Sequence, residues 1–357
     1  MRILQAIETG GPGGAEQLLI ALCTGLQLRG HEVEALLLKP GWLRDQLESS
    51  GIRCHQLELS GGIDRTFVGE FAELCRRRSI DLLHTHEFSM GWYGRRASDS
   101  LSLPHVATVH GKNFANRLQQ RIAAGLAFKP TERSALVAVS QDLASWLAEQ
   151  LIPKRREVRV VANGVPLPHG VRVRPRESDA FRIVAVGNLY PVKNHRLAIE
   201  IVSQLRRDGI DASLTILGRG AELERLQEQA QLLGIRDSIQ LAGYCDEIEP
   251  FLLDAELFLS TSISEGLPLS FLEAMGHALP IVASRVGGVP EVITDGSEGR
   301  LYASNDVGGA VAAIRLLATD EKERQRMAQM ALDSAQRDWS LDAMLDRYLK
   351  LYDELRA

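Results

Sequence analysis

The sequence predicts an α/β protein made of two open parallel sheets, each covered by helices and each in its own domain. Three observations predict it. Apolar runs of strand length alternate along the chain with longer stretches at helical spacing. The runs IDLLHTH (80–86), HVATVHG (105–111) and ALVAVS (135–140) are compact and end in a polar residue or glycine, which suits parallel strands buried on both faces. The alternation stops over NGVPLPHGVRVRPRESDA (163–180), where Pro, Gly and charge dominate without a period, and then restarts. A chain of 357 residues is also long for one core and ordinary for two.

Taken in order, MRILQAIE (1–8) has one Arg and a short apolar run broken by glycine, so it reads as a first strand rather than a secretory signal. GGAEQLLIALCTGLQLRGH (13–31) opens on glycines and continues at helical spacing, with Gly30 as its stop. VEALLLK (33–39) is the next strand and GWLRDQLESSGI (41–52) a short helix and turn. After the break, FRIVAVGNLY (181–190), ASLTILGRG (212–220), SIQLAGY (238–244), ELFLSTS (256–262) and PIVASRVGG (280–288) are strands separated by helices. In SLDAMLDRYLKLYDELRA (340–357), Leu341, Met344, Leu345, Tyr348, Leu351, Tyr352 and Leu355 share one side, with Ser340 as candidate N-cap; this amphipathic helix needs a surface to pack on. Two such sheets carry their ligand loops at the carboxyl ends of the strands, so the chemistry is expected in a crevice shared by the two halves.

Composition bounds the class. Apolar content of 45% and charge of 24% are those of a soluble globular enzyme. No apolar run approaches the roughly 18–20 residues of a membrane span. Cys23, Cys54, Cys75 and Cys245 are scattered without a C-x-x-C pair, which fits a reducing cytoplasm and argues against a zinc site or disulfide framework. Aromatic content of 5% and a pI near 6.0 argue against nucleic-acid binding. The net charge of −5 divides unevenly: residues 1–175 hold 22 Lys/Arg against 17 Asp/Glu, the remainder 19 against 29. Either the halves face different partners or this is ordinary solvated surface.

The stretch EGLPLSFLE (265–273) carries the most specific chemistry. It reads as loop and helix start, with Gly266 permitting close backbone approach and Pro268 suited to a first helical turn. The exposed N–H groups of a helix from about Leu269 to His277 would attract an anion such as a sugar-linked diphosphate. Glu265 would precede that end and Glu273 lie about two turns on, where a carboxylate can accept from the vicinal hydroxyls of a ribose. On residue types alone, the weightier reading is Glu265 as a dipole partner and Glu273 as a solvated helix residue.

The surroundings of that stretch resemble the retaining family-4-type glycosyltransferases (glycosyl transferases group 1), whose GT-B architecture has two Rossmann-like domains facing across a cleft. SEGLPLSFLEAMGHALPIVASRVGGVPEVI matches the family's E-G-x-P, E-x7-E, EAM and GG-x-x-E elements nearly throughout. GGAE (13–16), HTHEF (84–88), TVHG (108–111), VANGV (161–165), VGNLYPVKNH (186–195), LGRGAELERL (217–226) and LAGY (241–244) extend the resemblance over nearly the whole chain in family order. It implies an acceptor domain at 1–165, a linker at 166–180, a nucleotide-sugar domain at 181–338, and a terminal helix at 339–357 packing back on the N-terminal domain. It also implies roles. Gly13 and Gly14 would line the donor diphosphate and transferred sugar through their amides, although GGPGGAE alone fits any Gly-rich turn before a helix. His110 would contact the transferred sugar, although a lone strand-end His can be structural. Lys193 would neutralise the diphosphate leaving group. Glu265 would hold the donor sugar with Gly266, Leu267 and Pro268 beside it, Glu273 the ribose, Gly243 and Tyr244 the base. His86 and Glu87 would face the acceptor.

One position departs from the family. Where Arg usually pairs with the downstream Lys stands Asn188, which donates hydrogen bonds without charge; Arg219 and Arg285 are both candidates to replace it. The mechanism implied is transfer with retention by front-face attack, the departing phosphate helping to deprotonate the acceptor. No D-x-D motif is present, so no metal or other cofactor is expected. The implied function is transfer of a sugar from a nucleotide sugar to a glycan or lipid-linked saccharide in polysaccharide or lipopolysaccharide synthesis. A non-catalytic nucleotide-sugar scaffold and an epimerase are the alternatives on the same fold. Arg76–Arg78 and the basic segment 116–133 raise peripheral contact with the anionic inner face of the cytoplasmic membrane, against an ordinary solvated basic face.

Overall fold

A computed structural model of the chain describes residues 1–60, 64–112, 125, 128, 131–152, 157–173 and 180–357. These form two compact units, Met1–Pro166 with Leu341–Ala357, and Leu167–Ser340.

The first unit begins β1 (Arg2–Ile7), α1 (Gly14–Leu28), β2 (Glu32–Leu37), α2 (Trp42–Ser49) and β3 (Arg53–Gln56). It continues with α3 (Arg65–Arg77), β4 (Leu82–His86), α4 (Phe88–Leu101), β5 (His105–Val109), β6 (Ser134–Ala138), α5 (Gln141–Gln150) and β7 (Arg159–Val160). The strands make one parallel sheet of seven in the order β3-β2-β1-β4-β5-β6-β7. Strands β4 and β5 are buried along their whole length, because helices cover both faces. On one face Leu4, Ala6 and Leu83 pack with Phe67 and Phe71 of α3 and Met90 and Tyr93 of α4. The entry of α3 is fixed by Asp64, whose carboxylate accepts from Phe67 N at 3.0 Å and Ser60 N at 3.1 Å.

The second unit repeats the plan with β8 (Phe181–Val186), α6 (His195–Arg207), β9 (Ala212–Leu217), α7 (Leu223–Leu232), β10 (Ile239–Gly243), α8 (Glu249–Asp254), β11 (Leu257–Ser260) and α9 (Leu269–Gly276). Then come β12 (Ile281–Ser284), α10 (Val289–Val292), β13 (Gly299–Tyr302), α11 (Val307–Thr319) and α12 (Glu321–Asp338). Its parallel sheet of six runs β10-β9-β8-β11-β12-β13, the strand order of the first sheet. One core joins the buried stripe of α6 (Leu197, Ile201, Leu205) to Ile183, Leu214 and Ile216 of the sheet and to Ile314 of α11.

The terminal helix α13 (Leu341–Arg356) returns to the first unit. Met344, Leu345, Tyr348, Leu351, Tyr352 and Leu355 are buried, and the Cβ that Gly25 of α1 lacks would lie 2.6 Å from Leu345 Cδ1. Arg29 at the end of α1 pairs with Asp342 at 2.9 Å and Asp346 at 2.5 Å. The helix that needed a surface thus finds it on α1, where a missing side chain lets the two approach.

In each sheet the chain leaves the central strand to one side and comes back to the other, creating a switch point between β1 and β4 and another between β8 and β11. In open α/β sheets the loops that follow the strands at such a switch point are where ligands bind.

Candidate functional site

In the second unit the loop after β8 turns at Gly187 and Asn188 into a short 3₁₀ turn, Pro191–Lys193, and the loop after β11 carries Ser262 to Glu265. The two loops are sewn together. Thr261 Oγ1 donates to the carbonyls of Lys193 (3.1 Å) and Asn194 (2.9 Å), and Ile263 N donates to Val192 O at 2.8 Å. The result is that Lys193 Nζ lies 2.6 Å from Glu265 Oε1, which also accepts from Ser262 Oγ at 2.5 Å. The Glu265 side chain is 9% exposed and that of Lys193 24%, so the pair is sheltered yet open on the lysine side. Gly287 seats Glu265 from behind: at φ +50°, a Cβ there would come within 1.9 Å of Glu265 O.

The neighbouring strand ends are joined too. Gly187 N donates to Leu217 O at 2.9 Å, Gly218 N to Gly243 O at 2.7 Å, and Leu189 N to Arg219 O at 2.9 Å. This places Asn188, Arg219, Gly243 and Tyr244 on adjacent loops, with the Arg219 guanidinium 5.5 Å from the Tyr244 ring centre. Arg285, the other candidate for the missing charge, is 3.8 Å from Asp295. Buried His195 lies below, bonded to Gly187 O at 3.0 Å and pushed down to about 4, largely by burial, so it is neutral.

Helix α9 starts after Pro268, which occupies the N-cap rather than the first turn and offers no side-chain bond. No side chain caps the start of α9 or of α1, as is also the case for α2, α4, α6 and α7, so the first N–H groups of α9 are not taken up by a cap. Leu267 is buried and fixes the loop. Glu273 is no ordinary solvated residue: it is largely buried, and burial pushes its carboxyl up to about 7. Gly266 to Pro268 and Glu273 share this one loop and helix, but the Glu273 carboxylate has no described bond to Lys193 or Glu265.

In the first unit Gly13 is the N-cap of α1, with Glu16 folded against it, and around Gly14 no atom would meet an added Cβ within 4 Å. At the end of β4, Glu87 N donates to Thr108 O at 2.9 Å while Glu87 itself is held at φ +66°, ψ 169°. That conformation costs a non-glycine residue roughly 1–3 kcal/mol, and such strain concentrates at functional sites. Burial, then Glu16 and Glu8, push the Glu87 carboxyl up to about 7. Ser89 Oγ donates to Glu8, tying the loop after β1 to the start of α4.

His110 follows β5 and lies beside β4: its Nε2 is 3.0 Å from His86 Nδ1, and His86 Nε2 is 2.9 Å from Gln5 Oε1. The placement of His86 toward an acceptor needs correction. Its side chain is fully buried and both ring nitrogens are engaged, so it stands behind His110 and offers no polar atom to a ligand. His110 is partly exposed, and its low-dielectric surroundings push it down to about 4. Gln5 and the buried His84–Thr108–Tyr352 contacts were not singled out from the sequence; only the double histidine of HTHEF signalled them.

Among the described residues no group of three or more His, Cys, Asp or Glu could hold a metal ion, and no helix is long and apolar enough to cross a membrane. Most of the basic segment 116–133 lies outside the described residues. Of the arginine cluster, Arg76 bonds Glu73 and Arg78 forks onto Glu34.

Two all-parallel sheets in one strand order, each with polar groups gathered at its switch point, define a two-domain Rossmann-like protein of the GT-B type. The chain belongs to the family-4-type glycosyltransferases: the profile described as Glycosyltransferase Family 4 matches residues 12–168, and that described as Glycosyl transferases group 1 matches residues 172–333. It is 28% identical over 350 residues to the lipopolysaccharide core biosynthesis glycosyltransferase LpsE of Rhizobium meliloti, covering 96% of each chain. It is 24% identical to the UDP-Gal:alpha-D-GlcNAc-diphosphoundecaprenol alpha-1,3-galactosyltransferase of Escherichia coli, covering 79% of this chain and 78% of that one. The fold matches Anabaena Alr3699/HepE, solved in complex with UDP, with a TM-score of 0.87 and 19% identity over 99% of this chain and 100% of that one.

Proposed function

We propose that this glycosyltransferase moves a hexose, with retention at the anomeric carbon and without a metal, from a nucleotide sugar to a glycan or lipid-linked saccharide of a cell-surface polysaccharide or lipopolysaccharide. The observation that carries this reading is the Lys193–Glu265 pair, set by two interlocked loops at the switch point of the second sheet. The leaving diphosphate gathers negative charge as the glycosidic bond breaks, and a fixed ammonium stabilises it. The uncapped start of α9, with the amides of Gly266 and Leu267, adds to that stabilisation. Glu265 accepts from hydroxyls of the transferred sugar, and Glu273 from the ribose. Gly243 and Tyr244 flank the base. Asn188 donates to the diphosphate, and Arg219, on the adjoining loop, supplies the charge that Asn188 lacks. In the first unit, Gly13 and Gly14 offer backbone amides to the donor, His110 contacts the transferred sugar as a neutral imidazole, and Glu87 faces the acceptor. The named relatives from Rhizobium and Escherichia support a saccharide or lipid-linked acceptor. Lipid linkage would bring the protein to the cytoplasmic face of an anionic membrane, which co-sedimentation with anionic and neutral liposomes tests.

The decisive experiment is thermal shift with nucleoside diphosphates and nucleotide sugars on wild type and Glu273→Ala. A ligand at 100 times its Kd stabilises by about 2.7 kcal/mol. Stabilisation by one nucleotide, lost in the variant, supports the reading; with the donor so found, NMR of the transferred sugar tests retention. No stabilisation by any nucleotide would favour a non-catalytic scaffold, and interconversion of the nucleotide sugar without acceptor would favour an epimerase.

A further inference from the structure

Beneath His110 lies a file of buried polar groups that the proposed reaction does not use. Residues 84 and 86 of β4, Gln5 of β1 and Thr108 of β5 share the sheet face covered by α13. Gln5 Oε1, His86 and His110 are linked by bonds of 2.9 and 3.0 Å. The His86 and His110 planes differ by 12° and their centroids are 5.3 Å apart. With a 3.0 Å N···N contact, this is an edge-to-edge arrangement, which aligns an N–H with the facing lone pair. His84 lies against His86, ring centres 4.3 Å apart, and is itself clamped by Tyr352 OH on Nδ1 (2.7 Å) and Thr108 Oγ1 on Nε2 (2.8 Å). His86 can therefore neither swing away nor turn over.

A neutral imidazole has one donor and one acceptor nitrogen. The Gln5 NH2 faces the Tyr352 hydroxyl oxygen as a donor, which turns the amide oxygen toward His86 as an acceptor, so His86 Nε2 carries the proton. His86 Nδ1 is then a lone pair, and the proton in the bond to His110 must belong to His110 Nε2. That leaves His110 Nδ1 bare. We propose that Gln5 and His86 are positioning residues that hold His110 in its neutral Nε2–H tautomer, presenting Nδ1 as an acceptor for a sugar hydroxyl. This rests on the proposed role of His110 toward the transferred sugar. Burial favours the neutral rings the arrangement requires.

The test is long-range ¹H–¹⁵N NMR of the full chain labelled at histidine, without nucleotide. Wild type should show His110 as the Nε2–H tautomer. Gln5→Glu, whose carboxylate also accepts, should keep it. Gln5→Leu should give mixed tautomers at His86 and His110 and, with the donor found by thermal shift, a fall in kcat of about tenfold or more at unchanged KM. His86→Phe should give the same mixture at His110 and serves if Gln5→Leu does not fold. An Nδ1–H form in wild type, or a pure Nε2–H form in Gln5→Leu or His86→Phe, overturns the proposal. The tautomers are read without donor, so a protein that binds no nucleotide sugar would overturn the functional reading while leaving this one to stand or fall on its spectra.

Discussion

Replacing Gly287 by Ala should damage both the stability of the second unit and its hold on a nucleotide sugar. Two costs add. Gly287 sits at φ +50°, where an L-residue pays about 1–2 kcal/mol. The new methyl would also start 1.9 Å from Glu265 O, so that carbonyl must retreat by more than an ångström. In moving it gives up its contact with Gly288 N at 3.3 Å, a bond of about 0.5–1.5 kcal/mol. The sum, about 1.5–3.5 kcal/mol, corresponds to a melting-temperature drop of roughly 3–14 °C in a domain of this size. Glu265 would also be re-aimed away from Lys193 and Ser262. The assay is a thermal melt of the full chain, followed by titration with UDP or with whichever nucleotide stabilises wild type. A variant that melts within a degree or two of wild type and binds that nucleotide equally well would refute the claim that Gly287 is the seat of Glu265.

Gly14→Ala should behave oppositely: the methyl meets nothing in the folded chain, so the melting temperature should hold or rise slightly, while affinity for the nucleotide sugar drops if the amide of Gly14 meets the ligand. Glu273 should make both stability and binding depend on pH. Its folded pKa of about 7 lies above the ordinary carboxyl value of 4.5, so the folded state holds the proton more tightly. Its contribution to stability is therefore greatest below about pH 4.5 and declines through pH 7, by at most about 3 kcal/mol; urea unfolding of Glu273→Gln should lack that decline. Binding of a nucleotide sugar, if Glu273 accepts from the ribose as a carboxylate, should instead strengthen as pH rises through about 7, and calorimetry on the same variant should show this dependence flattened. Tyr352→Phe removes the 2.7 Å bond to His84 Nδ1 and should cost about 1–3 kcal/mol in urea unfolding. Arg219→Ala should weaken diphosphate binding and Asn188→Arg restore it, measured by the same titration; equal affinities across the set would exclude Arg219 as the replacement charge.

Much of the fold was legible because its signals are local. Short, β-branched runs such as HVATV, ending at a glycine, suit buried strands of a parallel sheet, and the face of Leu345, Tyr348 and Tyr352 announces a packed terminal helix. The association of Lys193 with Glu265 was less legible. Their sequence separation of 72 carries no spacing rule; the pairing arises because β8 and β11 are neighbours in the sheet, and Thr261 then ties the two loops. The motif resemblance named both residues without showing that they touch. His86 shows the opposite limit. The alternation in HTHEF places two histidines on one face, but whether they meet solvent depends on α13, more than 250 residues later in the chain.

The two units apply one topology to different electrostatic ends. Each places its polar groups where the strand order reverses, so the geometry of the loops is the same problem solved twice. In the second unit, the lysine stays partly open and its carboxylate partner is held by Ser262, which suits binding an ion whose charge must be met. In the first, burial keeps His84, His86 and His110 uncharged and raises Glu87 toward neutrality, which suits hydrogen bonding to hydroxyls. A nucleotide sugar has one highly charged half and one hydroxyl-rich, uncharged half. Taken each by itself, the second unit with its partly open lysine suits a charged group, and the first with its uncharged imidazoles suits hydroxyls.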